Sequence, residues 1–126
     1  MLDIRERQHI KTEIESRLRE LRADAESNGE PFSDASLSDL RAFLDSLPLA
    51  TRPAIFLLDS GNLRALWKND AKEQVGLQFL GNGEVQFVIF SQRQNPPFMA
   101  REAGARPLSA VRALIAEMDS ERLLLG

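Results

Sequence analysis

The hydrophobic positions of this chain change period once, near residue 54. Before that point, Ile10, Ile14, Leu18, Leu21 and Ala25 recur every three or four positions, with Arg, Glu, Lys and Asp between them. That spacing gathers the five on one face of a helix over residues 2–27. The charges between them fall where i,i+4 pairs support a helix. Asn28-Gly29 supplies a stop, because glycine accepts the left-handed conformation that ends a helix. The stripe is too short for a stable coiled coil. Ile10, Ile14, Leu18 and Leu21 therefore either pack on the chain's own domain or meet a partner helix. A second helix is expected near 36–47, with Ser36 or Asp34 as cap. Leu37, Leu40, Phe43, Leu44 and Leu47 form its inward stripe, and Pro48 ends it.

Beyond Pro53 the alternation has period two, as in half-buried strands. Residues 54–58 form a short apolar strand, and Asp59-Ser60-Gly61-Asn62 is turn chemistry. Leu63, Ala65 and Trp67 then face one way and Arg64, Leu66 and Lys68 the other. Val75, Leu77 and Phe79 alternate with Gln74, Gly76 and Gln78. Asn82-Gly83 signals a hairpin, since both positions tolerate positive φ. Val85, Phe87 and Ile89 follow, alternating with Gln86, Val88 and Phe90. Residues 91–107 contain two adjacent prolines and read as a basic loop carrying Arg93, Arg101 and Arg106, with a short edge strand at 98–103. A last helix is expected over about 109–122, burying Val111, Leu114, Ile115 and Met118.

These elements predict an α+β protein. Its core is an antiparallel β-meander of four strands, or five with the edge strand. Helices pack on one face, and a long N-terminal amphipathic helix (1–28) precedes the α+β domain (29–126). At 126 residues, two independent domains are not expected.

Composition narrows the function. There is no cysteine, which excludes disulfides, thiolate nucleophiles and thiolate metal sites. His9 is the single histidine, on the charged side of the first helix, and alone makes neither a ligand set nor a triad. Asp59, Asn62 and Asp70 lie in turns, and Glu73 and Glu84 flank strands without a spacing that pairs them for acid–base work. No catalytic residue, metal site or cofactor is therefore expected, and the chain reads as a non-enzymatic protein. The charged opening segment does not resemble a signal peptide and no stretch is apolar enough to span a membrane, so a cytoplasmic location with no membrane role is expected. The first 53 residues carry the whole net charge of −3. This argues against a nucleic-acid partner, which usually meets a basic footprint, and suits a basic protein partner.

The candidate binding surface is the outward face of the meander together with the basic loop: Arg64, Lys68, Gln78, Gln86, Arg93 and Arg101, with Leu66, Val88 and Phe90 among them. Two alternatives use the same chain differently. In a small RNA-binding or ribonuclease toxin, Arg64, Lys68, Arg93 and Arg101 would hold phosphate. In a homo-oligomeric structural protein, the sheet edge or the first helix would join copies.

Three stretches, "GEPFSDASLSDLRAFLDSLP", "PAIFLLDSGNLRALWKN" and "VGLQFLGNGEVQFVIF", carry an ordered set: Pro48, Pro53, Gly61, Asn62, Leu63, Trp67, Gly83, Val85, Phe87 and Val88. The set resembles a recurrent type of small, largely uncharacterised prokaryotic α+β protein. "REAGARPLSAVRALI" is similar to the tail of one branch, with Arg101, Gly104 and Val111 in place. Phe87 stands where tyrosine is frequent, and the long first helix is not part of the pattern. Such proteins often lie in operons of toxin–antitoxin or defence character and bring no catalytic motif. Taken with the acidic charge, the absence of catalytic groups and the amphipathic first helix, the resemblance points to an interaction protein, antitoxin-like or regulatory, whose partner is an operon neighbour; a homodimer is the expectation of the structural-protein alternative.

Overall fold

The computed structural model describes residues 3–126. Helix α1 spans Ile4–Asn28, with the Asp3 side chain accepting from the Glu6 amide at 2.8 Å and Gly29 closing the other end at φ 65°. The Leu2 start expected for this helix lies outside the described residues. Helix α2 spans Asp34–Asp45. Its cap is Ser33 rather than Ser36 or Asp34: the Ser33 hydroxyl accepts from the Ser36 amide at 3.0 Å. The earlier cap leaves the Ser36 hydroxyl free for another task, described below.

Strands β1 (Ala54–Leu57), β2 (Leu63–Lys68), β3 (Gln74–Phe79), β4 (Glu84–Gln94) and β5 (Pro97–Pro107) form one antiparallel sheet in chain order. The segment read as a basic loop with an edge strand at 98–103 is thus the end of β4, a turn and all of β5, and the expected edge strand lies inside β5. β4 continues to Gln94 and β5 pairs with it over its whole length, from Glu84↔Pro107 to Gln94↔Pro97. A 3₁₀ turn (Leu108–Ala110) leads into α3 (Val111–Glu117), and α4 (Arg122–Leu125) closes the described chain. The last helix is therefore shorter than expected. It breaks where Asp119 takes φ 54° and the Ser120 amide returns to Ile115 O at 3.0 Å. That break lets Leu123 and Leu124 turn inward, where both are buried.

One face of the sheet carries the core. Leu63, Ala65, Trp67, Val75, Leu77, Phe79, Val85, Phe87 and Ile89 are all buried, and the helices cover them. Ile14, Leu18, Leu21 and Ala25 of α1 are buried too, and Ile10 packs half-buried at the margin. The Ile14, Leu18, Leu21 and Ala25 stripe of α1 is therefore packed into the chain's own core, while Ile4 stands exposed. Residues on both sides of position 28 share one hydrophobic cluster.

Ser36 joins helix to sheet. Its buried hydroxyl donates to Phe79 O at 2.5 Å and accepts from the Leu63 amide at 2.9 Å. Gly81 permits the close approach: at φ 82° it passes α2 so tightly that a Cβ there would stand 3.0 Å from both the Ser36 nitrogen and the Ala35 Cβ. Gly81 and Ser36 thus fix α2 across the ends of β2 and β3.

Candidate functional site

Among the described residues, no helix lies over the second face of the sheet. Register places its residues in rows. Arg64, Gln78 and Gln86 lie abreast, with Phe56 before them on β1 and Ala105 after them on β5. The next row is Leu66, Gly76, Val88 and Ala103. A third is Lys68, Gln74, Phe90 and Arg101. Side chains in these rows are half-buried or exposed, in contrast to the dry face behind them.

Gly76 is the exception, being buried although it belongs to this face. Its cover is Arg64. A Cβ at Gly76 would fall 2.8 Å from an Arg64 guanidinium nitrogen and 3.6 Å from the guanidinium carbon, so the edge of the guanidinium covers the glycine. Arg101 is held differently, with its guanidinium carbon 5.9 Å from the centroid of the Phe90 ring, its cross-strand neighbour. That geometry is a cation–π contact. Both cations thus lean on neighbours within the sheet.

The face is basic although the chain is acidic. Arg64, Lys68 and Arg101 share it with one strand carboxylate, Glu84, at its corner. Among the described residues, none of the three cations has a salt-bridge partner. The acidic excess lies elsewhere, largely on the helices, where Glu15 pairs with Arg41 at 2.7 Å, Glu13 with Arg52, and Asp34 with Arg22.

Five of the six residues expected on this surface do share it: Arg64, Lys68, Gln78, Gln86 and Arg101. Arg93 does not. It pairs with Phe98 and has the strand parity of Ile89 and Ser91, which point into the protein. Reading 91–107 as a loop left its parity undefined. Once β4 is continued past Phe90, alternation alone sends Arg93 to the opposite side.

The most enclosed polar cluster lies elsewhere and was not foreseen as one. Glu73, only 4% exposed, accepts from one Arg122 guanidinium nitrogen at 2.5 and 2.6 Å, from Asn69 Nδ2 at 3.1 Å and from the Gln92 amide at 3.0 Å. Burial acts to raise the Glu73 pKa. The hydrogen bonds from Gln92, Arg122 and Asn69, with the Arg122 charge, outweigh it and hold the carboxyl below its usual range. A carboxylate kept ionised with both oxygens engaged is a structural tie, with no oxygen left to act as acid or base. His9 stands on the exposed side of α1, 2.5 Å from Glu13. Among the described residues no group of three or more His, Cys, Asp or Glu side chains comes together, and no helix is long and apolar enough to cross a membrane.

The architecture is that of an α+β protein whose five-stranded meander is covered by helices on one face and bare on the other. No protein-family model, no curated protein and no solved structure matches the chain.

Proposed function

We propose that this chain is a non-enzymatic protein-interaction module that receives an acidic partner protein on the bare face of its sheet. In this reading it is the antitoxin-like or regulatory component of a two-gene module, and the partner is the product of the neighbouring gene. One observation carries the proposal. A chain of net charge −3 keeps Arg64, Lys68 and Arg101 on one face of its sheet, without a salt-bridge partner among the described residues, and that face also offers Leu66, Val88 and Phe90. Charge of that sign steers and orients an acidic partner. The apolar residues between the cations supply contact area that becomes favourable once water leaves. Gln78 and Gln86 bring side-chain amides that both donate and accept hydrogen bonds.

The test is co-expression with the neighbouring gene product, followed by purification of the complex and titration at rising salt. A one-to-one complex is expected. It should weaken with ionic strength and be lost in the Arg64→Glu, Lys68→Glu double variant, while the melting temperature of the free chain is kept. A complex indifferent to that double reversal, or none at micromolar concentration, refutes the reading. Retention of single-stranded RNA by the wild-type chain and its loss in the same variant would put RNA in the partner's place.

A further inference from the structure

The two edges of the sheet are treated differently. On the β1 side, α1 lies along the edge, and Arg17 Nε donates to the outward-facing carbonyl of Ile55 at 3.2 Å. The opposite edge, β5, is 11 residues long and bonded on one side only. Among the described residues no further strand pairs with it: Met99 and Ala100 are half-buried and the other β5 residues are exposed. A long bare edge of this kind is a template for a further strand, which soluble proteins normally block.

The phase of the ladder shows what this edge offers. The Leu108 amide donates to Gly83 O at 2.7 Å, one step beyond the Glu84↔Pro107 pair. Antiparallel alternation then turns the backbone groups of Ala100, Glu102, Gly104 and Arg106 toward β4, and those of Met99, Arg101, Ala103 and Ala105 outward. Pro97 and Pro107 both fall at outward positions, where a missing N–H breaks no bond to β4. Between them the outward donors and acceptors carry no backbone bond, and one of them, Ala105 O, accepts from the Arg106 guanidinium at 3.0 Å, a contact the second strand would displace; small side chains lie at the centre.

We propose that β5 pairs antiparallel with β5 of a second copy, about a two-fold axis at Gly104, joining two sheets into one. The sequence is self-complementary in that register. Gly104 meets Gly104, Ala103 meets Ala105 through outward backbone groups, and Glu102 stands directly opposite Arg106, twice by symmetry. Opposite charges facing across strands stabilise a pair, and like charges destabilise it. Shifting the axis to Glu102 or to Arg101 would set like charges against each other. Glu102 and Arg106 are exposed and, among the described residues, have no salt-bridge partner within the chain. The contact is isologous, so it closes as a dimer and does not propagate. It is independent of the partner proposed for the bare face, since it uses the sheet's edge.

Sedimentation equilibrium of the full chain tests it. The wild type should reach twice its mass of 14.1 kDa. Glu102→Arg and Arg106→Glu should each weaken the dimer by about tenfold, because two facing pairs turn repulsive at once. Mixing those two variants should restore the doubled mass, since each then supplies the charge the other lacks. Ala103→Pro removes an outward N–H without touching the β4 ladder and should give a folded monomer by circular dichroism. A monomeric wild type overturns the proposal. So does a dimer that both charge reversals and the proline leave intact. The Arg64→Glu, Lys68→Glu variant should keep the wild-type dimer mass, which separates this contact from the bare face.

Discussion

Glu73 and Arg122, 49 positions apart, form the tie that holds the last helical turn to the β2–β3 connection. Both Glu73 oxygens face one guanidinium nitrogen, while Asn69 and the Gln92 amide complete the cage. Arg122 is half-exposed and regains water if the pair is broken; the Gln92 amide loses its acceptor. Glu73→Ala should therefore destabilise by about 1–3 kcal/mol, the cost of leaving a buried group unpaired. Chemical denaturation monitored by circular dichroism checks this.

The same carboxylate sets a pH dependence. Its folded-state pKa lies below the ordinary value of 4.5, so the unfolded chain binds the proton more readily. The stabilisation is complete above the unfolded value and is lost as pH falls through the folded one. Melting temperature should drop on acidification below about 4.5, and Glu73→Gln should make that drop shallower. Parallel acid profiles for the two proteins would contradict the assignment.

Ser36→Ala strips a buried donor and acceptor from between α2 and the sheet. Leu63 N–H and Phe79 C=O then lose a partner in a site closed to water. A loss of about 1–3 kcal/mol is expected. Hydrogen exchange should rise first at the Leu63 amide. Gly81→Ala should cost a similar 1–3 kcal/mol by a separate route, through positive φ and the α2 backbone against the new Cβ.

Gly76→Ala should do the reverse of what a buried glycine usually predicts. The new methyl meets the mobile end of Arg64, which swings away at little cost. Stability should stay within about 1 kcal/mol of wild type, because alanine also relieves glycine's entropic penalty in a strand. Partner affinity on the bare face should fall, because Arg64 is displaced from its place over residue 76. Calorimetry of folding and of binding on the same variant separates the two effects.

Leu18→Ala probes the role of α1. The side chain is 2% exposed and belongs to the common core. Truncation should destabilise the whole domain by about 2–5 kcal/mol in a single transition. An independent melting of α1 would show the helix to be a separate unit.

The strands with one greasy side were legible before any coordinates. Val75, Leu77 and Phe79 are fully buried, as their alternation with Gln74, Gly76 and Gln78 requires. Of β5 only the stretch 98–103 was legible, because alternation records a difference between two environments, and this strand has none: both of its faces are largely open. Ala, Gly, Arg and Glu suit such a strand and equally suit a loop. The Arg93 error follows directly, since a side chain in a loop has no parity. The helix break was present as a phase slip. A stripe through Val111, Leu114, Ile115 and Met118 continues at Glu121 and Arg122, whereas the buried pair is Leu123 and Leu124. Glu73 could not be read, because its partners come from three separated segments that only the closed meander brings together.

Trp67 lies 1% exposed near the end of β2, with its indole N–H donating to Thr51 O at 3.0 Å. The chain has no tyrosine and no second tryptophan. Ultraviolet emission excited at the indole band therefore comes from one fixed, dry location. Its shift to longer wavelength on opening gives an intrinsic optical clock for the collapse of this sheet, with no label attached.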